Sequence, residues 1–95
     1  MHDDVKALEK RLIVPEGLGL HARVATSLVK AMQEYSCQVT LIKDDVEVSA
    51  RSVLGLLLLA ATPGSELLVR ATGPDSVQAI EEITRLIEDD NSGKH

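Results

Sequence analysis

The sequence predicts an α+β domain, a four-stranded antiparallel sheet with one open face and three helices on the other, in the order β-α-β-β-α-β-α. Three observations lead there. Several segments alternate apolar and polar residues, so each has a single face to bury. The segments between them switch to the helical period. Ninety-five residues with 44% apolar content supply one core, because two cores of this size would each bury too little surface. A parallel sheet covered on both faces fits poorly, since its strands would be apolar at every position.

Taken in order, Lys10 to Val14 reads as a strand that Pro15 stops, and Glu16-Gly17-Leu18-Gly19 reads as a loop. Ala22, Ala25, Leu28, Val29 and Met32 recur at helical spacing and predict an amphipathic helix over 22–34. Cys37, Val39 and Leu41 alternate with Gln38 and Thr40, and Val46, Val48 and Ala50 with Glu47 and Ser49. The short Lys43-Asp44-Asp45 link makes this pair a hairpin. Ser52 to Ala60 is apolar nearly all round and rich in leucine, which favours a short helix over a strand. Thr62-Pro63-Gly64 turns the chain into a strand over Glu66 to Ala71, and Gly73-Pro74-Asp75 turns it again. Val77, Ile80, Ile83 and Ile87 are the expected buried stripe of a final helix, with Asp75 and Gln78 at capping-box spacing. The whole chain is expected to be one domain, with its core at about 10–89, residues 1–9 an N-terminal extension and 90–95 a frayed tail.

The core has to be aliphatic, because the chain has no Trp, no Phe and only Tyr35. A net charge of -5 gives no basic stripe for displacing counterions from nucleic acid, and aromatic base-stacking platforms are missing. The acidic clusters Glu81-Glu82 and Glu88-Asp89-Asp90 read as solvated faces. The single cysteine, Cys37, cannot form an intramolecular disulfide and reads as a buried strand residue. The start, Met1-His2-Asp3-Asp4, lacks the apolar stretch of a signal sequence, and no apolar run approaches the roughly 20 residues that span a bilayer. Cytoplasmic residence without membrane insertion is the resulting expectation. No Cys/His cluster has metal-ligand spacing, and neither a metal nor another cofactor is expected.

The informative stretch is Gly17-Leu18-Gly19-Leu20-His21-Ala22-Arg23, where a glycine loop delivers a histidine and an arginine to a helix start. Imidazole titrates near neutrality, so a ring nitrogen is available as a nucleophile. Helix-start N–H groups and the positive end of the dipole favour an arriving phosphoryl group. The Arg23 guanidinium can add charge-assisted hydrogen bonds to its oxygens. A capping or partly buried polar histidine is the blander alternative, and local chemistry alone does not separate the two. The spacing Gly17-x-Gly19-x-x-Ala22 also resembles a dinucleotide fingerprint, but a hairpin follows where a crossover helix would be needed.

Gly19-Leu20-His21-Ala22-Arg23 resembles the active-site signature of the HPr family, the histidine phosphocarriers of the bacterial phosphoenolpyruvate-dependent sugar phosphotransferase system. Ala50-Arg51-Ser52-Val53-Leu54-Gly55-Leu56 is similar to the family's Lys-Ser-Ile-Met-Gly segment around a regulatory serine. Two separated motifs in the expected order are far more specific than either alone. The resemblance runs from about Lys10 to Asp89 and implies an HPr-like open-faced β-sandwich. It further implies that enzyme I phosphorylates Nδ1 of His21, that Arg23 assists the phosphorylated site, and that the group passes to a IIA protein or domain. Such a chain is a stoichiometric carrier, expected as a monomer, and not an enzyme with its own substrate and product. HPr kinase/phosphorylase, acting on Ser52, and a transcriptional regulator are further implied partners. One departure stands out: the family usually has proline after the arginine, and this chain has Val24, which restores a backbone donor in the first helical turn. Variants devoted to regulation, including nitrogen-related systems, belong to the same family, and that role is the alternative to carbohydrate uptake.

Ser52 is also a good helix N-cap whatever else it does. The helix after it carries four consecutive leucines, which point around most of its circumference, so some must be exposed or at an interface. Spacing assigns Leu56 and Leu59 to the core. Val53, Leu54, Leu57 and Leu58, with Leu20 and Val24 beside His21, form the expected docking surface.

Overall fold

The computed structural model describes residues 7–14, 22–59 and 64–90, with side chains described as far as Glu88. Four strands, β1 (Leu8–Ile13), β2 (Gln38–Lys43), β3 (Val46–Ser49) and β4 (Glu66–Thr72), alternate with three helices, α1 (Ala22–Met32), α2 (Val53–Leu59) and α3 (Ser76–Asp90). The element order is the expected one. The strands form a single sheet in the order β1-β4-β2-β3, and every pairing is antiparallel. With no parallel βαβ unit among the described residues, the dinucleotide-binding alternative finds no architecture there.

β4 lies inside the sheet and shows why one face is buried. Leu67, Val69 and Ala71 sit in the core, while Glu66, Leu68, Arg70 and Thr72 alternate onto the open face. On β2, Val39 and Leu41 face the same core, and on the edge strand β1 Leu12 does. The open face is laced with ion pairs, Arg70 with Glu9 at 3.0 Å and Arg11 with Glu66 at 3.5 Å. Their solvent exposure makes each worth only about 0–1 kcal/mol. From the helices, Val24, Ala25, Leu28 and Met32 of α1, Leu56 and Leu59 of α2, and Ala79, Ile80, Ile83 and Ile87 of α3 complete the aliphatic core. α1 packs against both α2 and α3.

Several expectations are corrected by the packing. β1 begins at Leu8, two residues earlier than expected, because it pairs with β4 as far as Ala71. α1 ends at Met32, and the next residues tighten into i to i−3 bonds, Gln33 to Lys30, Glu34 to Ala31 and Tyr35 to Met32. Its buried face is rotated from the expected one: Ala22 is exposed, and Val24 is 1% exposed in the core. Val24 therefore offers no side-chain surface to a partner, contrary to its expected place in the docking surface. In α3, Val77 is 53% exposed and Ala79 takes its place in the stripe, since Ser76, Ile80, Ile83 and Ile87 set the face. Val46, beside the hairpin turn on edge strand β3, is exposed too.

Asp75 supplies another correction. It stands at the expected N-cap position, its carbonyl accepting the first helical bond from Ala79 at 3.0 Å. In place of the capping-box side-chain bond, however, its carboxylate accepts hydrogen bonds from the backbone N–H groups of Ser36 at 2.8 Å and Cys37 at 2.9 Å. It thereby ties the start of α3 to the turn between α1 and β2. The Ser36 bond, more than any other influence, holds the Asp75 carboxyl below the usual carboxylate range. A depressed folded-state pKa means that the contribution is fully present above the unfolded value of about 4 and is lost as pH falls through the folded one. Stability is expected to decline on that acid limb, and Asp75→Asn is expected to be less stable at neutral pH with a shallower acid decline. Urea melts between pH 2 and 7 check both, and parallel curves for the two proteins would refute the assignment.

Candidate functional site

The loop Gly17 to Leu20 and His21 itself lie outside the described residues. What the structure positions is the helix that follows His21 in sequence. α1 starts at Ala22, with Arg23 exposed in its first turn and Val24 turned into the core. A helix start presents N–H groups without intrahelical acceptors and the positive end of its dipole. Val24 thus anchors that turn from below while Arg23, one residue earlier, faces outward.

The second motif is fully described. Ser52 is an N-cap: its Oγ accepts a hydrogen bond from the Gly55 N–H at 2.9 Å, and its carbonyl accepts the first helical bond from Leu56 at 3.0 Å. Gly55 has a steric reason to lack a side chain. A Cβ there would lie 3.1 Å from Ser52 Oγ and 3.2 Å from Val48 Cβ, so its absence lets α2 settle onto β3 with the serine hydroxyl in place. Leu56 and Leu59 enter the core as expected, and Val53 is half-buried against it. Leu54, Leu57 and Leu58 are 67%, 38% and 71% exposed, an apolar surface on a helix without one charged residue. Of the expected docking residues, α2 therefore presents these three, and Leu20 lies outside the described residues.

Arg51 carries a role that sequence reasoning missed. Its Nη1 donates to the Cys37 carbonyl at 2.9 Å, and its Nη2 to the carbonyls of Met32 at 2.9 Å and Tyr35 at 2.6 Å. A guanidinium thus gathers the end of α1 and the turn beyond it, adding a second bond at the Met32 carbonyl, which already accepts from the Tyr35 N–H, and bonding the carbonyls of Tyr35 and Cys37. Nothing in the spacing of positions 32, 35, 37 and 51 signals this contact. Cys37 lies beneath the same turn, and burial pushes its thiol up, as expected of a structural cysteine. Among the described residues, no group of three His, Cys, Asp or Glu side chains could hold a metal ion, and no helix is long and apolar enough to cross a membrane.

The family model described as the PTS HPr component phosphorylation site matches residues 8–89, which span both motifs. The chain belongs to the HPr family. A phosphocarrier protein HPr from Xylella fastidiosa is 41% identical over 81 residues, covering 85% of this chain and 91% of the relative. A phosphocarrier protein NPr from Shewanella violacea is 35% identical over 81 residues, covering 85% and 89%. The crystal structure of HPr-C-His from Thermoanaerobacter tengcongensis superposes with a TM-score of 0.83 at 30% identity, covering 93% of this chain and 99% of that one. The sheet and three helices are thus the HPr fold, and the general role is that of a phosphocarrier of the phosphotransferase system. Both the HPr and the NPr relatives bear the phosphocarrier name.

Proposed function

We propose that the imidazole of His21 accepts a phosphoryl group from phosphorylated enzyme I and passes it to a IIA protein or domain during carbohydrate uptake in the cytoplasm. The observation that carries this reading is the family match across residues 8–89, the family being named for its phosphorylation site and the match including His21 and Arg23. In the forward step the Nδ1 lone pair of His21 forms a bond to phosphorus as the bond holding the phosphoryl group to enzyme I breaks. Arg23, exposed in the first turn of α1, supplies charge-assisted hydrogen bonds to the transferred oxygens. Incubation with labelled phosphoenolpyruvate and enzyme I tests the reading: an acid-labile, alkali-stable label that chases onto a IIA protein is expected. A protein that stays unlabelled would refute it.

The exposed Leu54, Leu57 and Leu58, with Val53 and Leu20, form the surface on which enzyme I and IIA dock in this reading, leaving His21 to the partner's reacting group. Leu54→Lys or Leu57→Lys places a charge where an apolar contact is desolvated, so kcat/KM with enzyme I is expected to fall about tenfold or more. Melting curves should barely move, because both side chains are exposed. Undiminished transfer in both variants would count against docking there.

Ser52 is proposed as a regulatory site for HPr kinase/phosphorylase. The kinase would move the γ-phosphoryl of ATP to Oγ with release of ADP, and a helix N-terminus tolerates the added dianion. The new charge beside exposed leucines would oppose docking and alter which transcriptional regulator the domain meets. Ser52→Ala is expected to abolish labelling by ATP and that kinase; a wild-type protein that remains unlabelled removes the switch.

The NPr relative, at 35% identity, supports a second reading in which the chain serves a nitrogen-related regulatory system. The two differ in partner. Faster phosphorylation by a nitrogen-type enzyme I than by the sugar-type enzyme would favour the second.

A further inference from the structure

Arg51 joins two pieces of the molecule, the end of α1 with its following turn and the start of α2. Its guanidinium binds the carbonyls of Met32, Tyr35 and Cys37 at the far end of α1, the helix that opens immediately after His21. Its backbone belongs to a bonded turn that opens α2: the Arg51 N–H donates to Ser49 Oγ at 3.0 Å, the Ser52 N–H to the Ser49 carbonyl at 3.1 Å, and the Gly55 N–H to Ser52 Oγ. α2 is a short helix of seven residues that buries Leu56 and Leu59 in the core and packs Val53 part-way against it, so it has few apolar anchors of its own. Asp75 grips the same α1–β2 turn from the opposite side, through N–H groups, but it belongs to the start of α3 and touches nothing on α2 in these bonds.

We infer that Arg51 is a positioning residue for phosphotransfer, setting the exposed leucines of α2 in register with α1, the helix that follows His21 in sequence. The inference rests on the reading that enzyme I docks on α2 and phosphorylates His21. A partner seated on α2 reaches His21 only if the α1–α2 geometry is held, and small misplacements of reacting groups are expensive. A small donor that needs no docking surface is indifferent to that geometry. Phosphoramidate is such a donor: its nitrogen–phosphorus bond breaks, the phosphoryl group goes to the imidazole, and ammonia leaves.

Arg51→Met, Arg51→Lys and Asp75→Asn compared with the wild type, well below every melting temperature, test the inference. Arg51→Met is expected to lower kcat/KM with enzyme I about tenfold while leaving the phosphoramidate rate unchanged. Lysine, which keeps the charge but not the fork, is expected to recover part of the loss. Asp75→Asn loosens the same turn without touching the α2 connection and is expected to retain wild-type kcat/KM. Amide chemical shifts of the free proteins give a readout that needs no phosphotransfer. Arg51→Met should move resonances in both the end of α1 and α2, whereas Asp75→Asn should leave those of α2 in place. Equal losses in the Arg51 and Asp75 variants would show general destabilisation and overturn the inference. A loss in Arg51→Met with unmoved α1 and α2 shifts would show direct contact with enzyme I and overturn it too. If the wild type takes no phosphate from enzyme I, the docking reading fails by itself, and shifts confined to the turn would then dispose of the α1–α2 connection separately.

Discussion

His21→Ala is expected to reduce enzyme I-dependent, acid-labile labelling to background. The nucleophile is a ring nitrogen, and alanine offers no atom that can form the bond to phosphorus. The remaining histidines, His2 and His95, belong to the terminal segments and lie outside the family match. Arg23→Ala is expected to behave differently, because the arginine assists the oxygens and does not form the bond. Losing a charge-assisted hydrogen bond of about 1.5–3 kcal/mol should slow transfer roughly 10- to 150-fold while still allowing full labelling at long times. Rapid-quench measurement of the label in both variants checks this, with circular dichroism to confirm that each folds. Persistent label in His21→Ala, mapped to another residue, would move the phosphoryl site and the carrier mechanism with it.

Gly73→Ala is expected to cause a large loss of stability. Gly73 adopts φ +135°, a region that L side chains rarely occupy, in the turn between β4 and α3. A Cβ there would also lie 2.8 Å from the Cα and 2.9 Å from the Cβ of Cys37, the residue just before β2. Neither neighbour is the end of a flexible side chain, so the backbone itself must move. That motion would disturb the segment that Asp75 and Arg51 hold, at Cys37 N–H and Cys37 carbonyl respectively. Backbone strain and overpacking together should cost about 2–5 kcal/mol. For a domain of this size, each kcal/mol lowers the melting temperature by roughly 4–8 °C. Gly64→Ala is the matched control. Gly64 has φ +86° but nothing within 4 Å of the added carbon, so only the strain, about 1–3 kcal/mol, applies. Thermal melts of the two variants separate the contributions, and equal destabilisation would mean that contact with Cys37 costs nothing.

Element order and type were legible because the hydrophobic period changes cleanly along the chain. Cys37, Val39 and Leu41 alternate and form the inward face of β2 and its approach, and Leu56 and Leu59 were separable from the other α2 leucines by spacing alone. The same reasoning misplaced Val24, Ala22 and Val77, all in first helical turns. There a residue's burial depends on which neighbour the helix start meets, and periodicity carries no information about that. Ser52 was recognisable as a cap because a cap is a local bond between residues three apart.

The sequence by itself determined the one-sided strands, the three helices, the N-cap at Ser52 and the pair of motifs that mark the family. Those features depend on bonds and periods spanning a few residues, so they are written locally. The strand order β1-β4-β2-β3, the burial of Val24, the grip of Asp75 on Ser36 and Cys37, and the reach of Arg51 to Met32, Tyr35 and Cys37 were decided only by the tertiary structure. Each joins groups from separate elements. A side chain's hydrogen bonds go to whichever unpaired backbone groups the packed core brings within reach, and that choice exists only once the chain has folded.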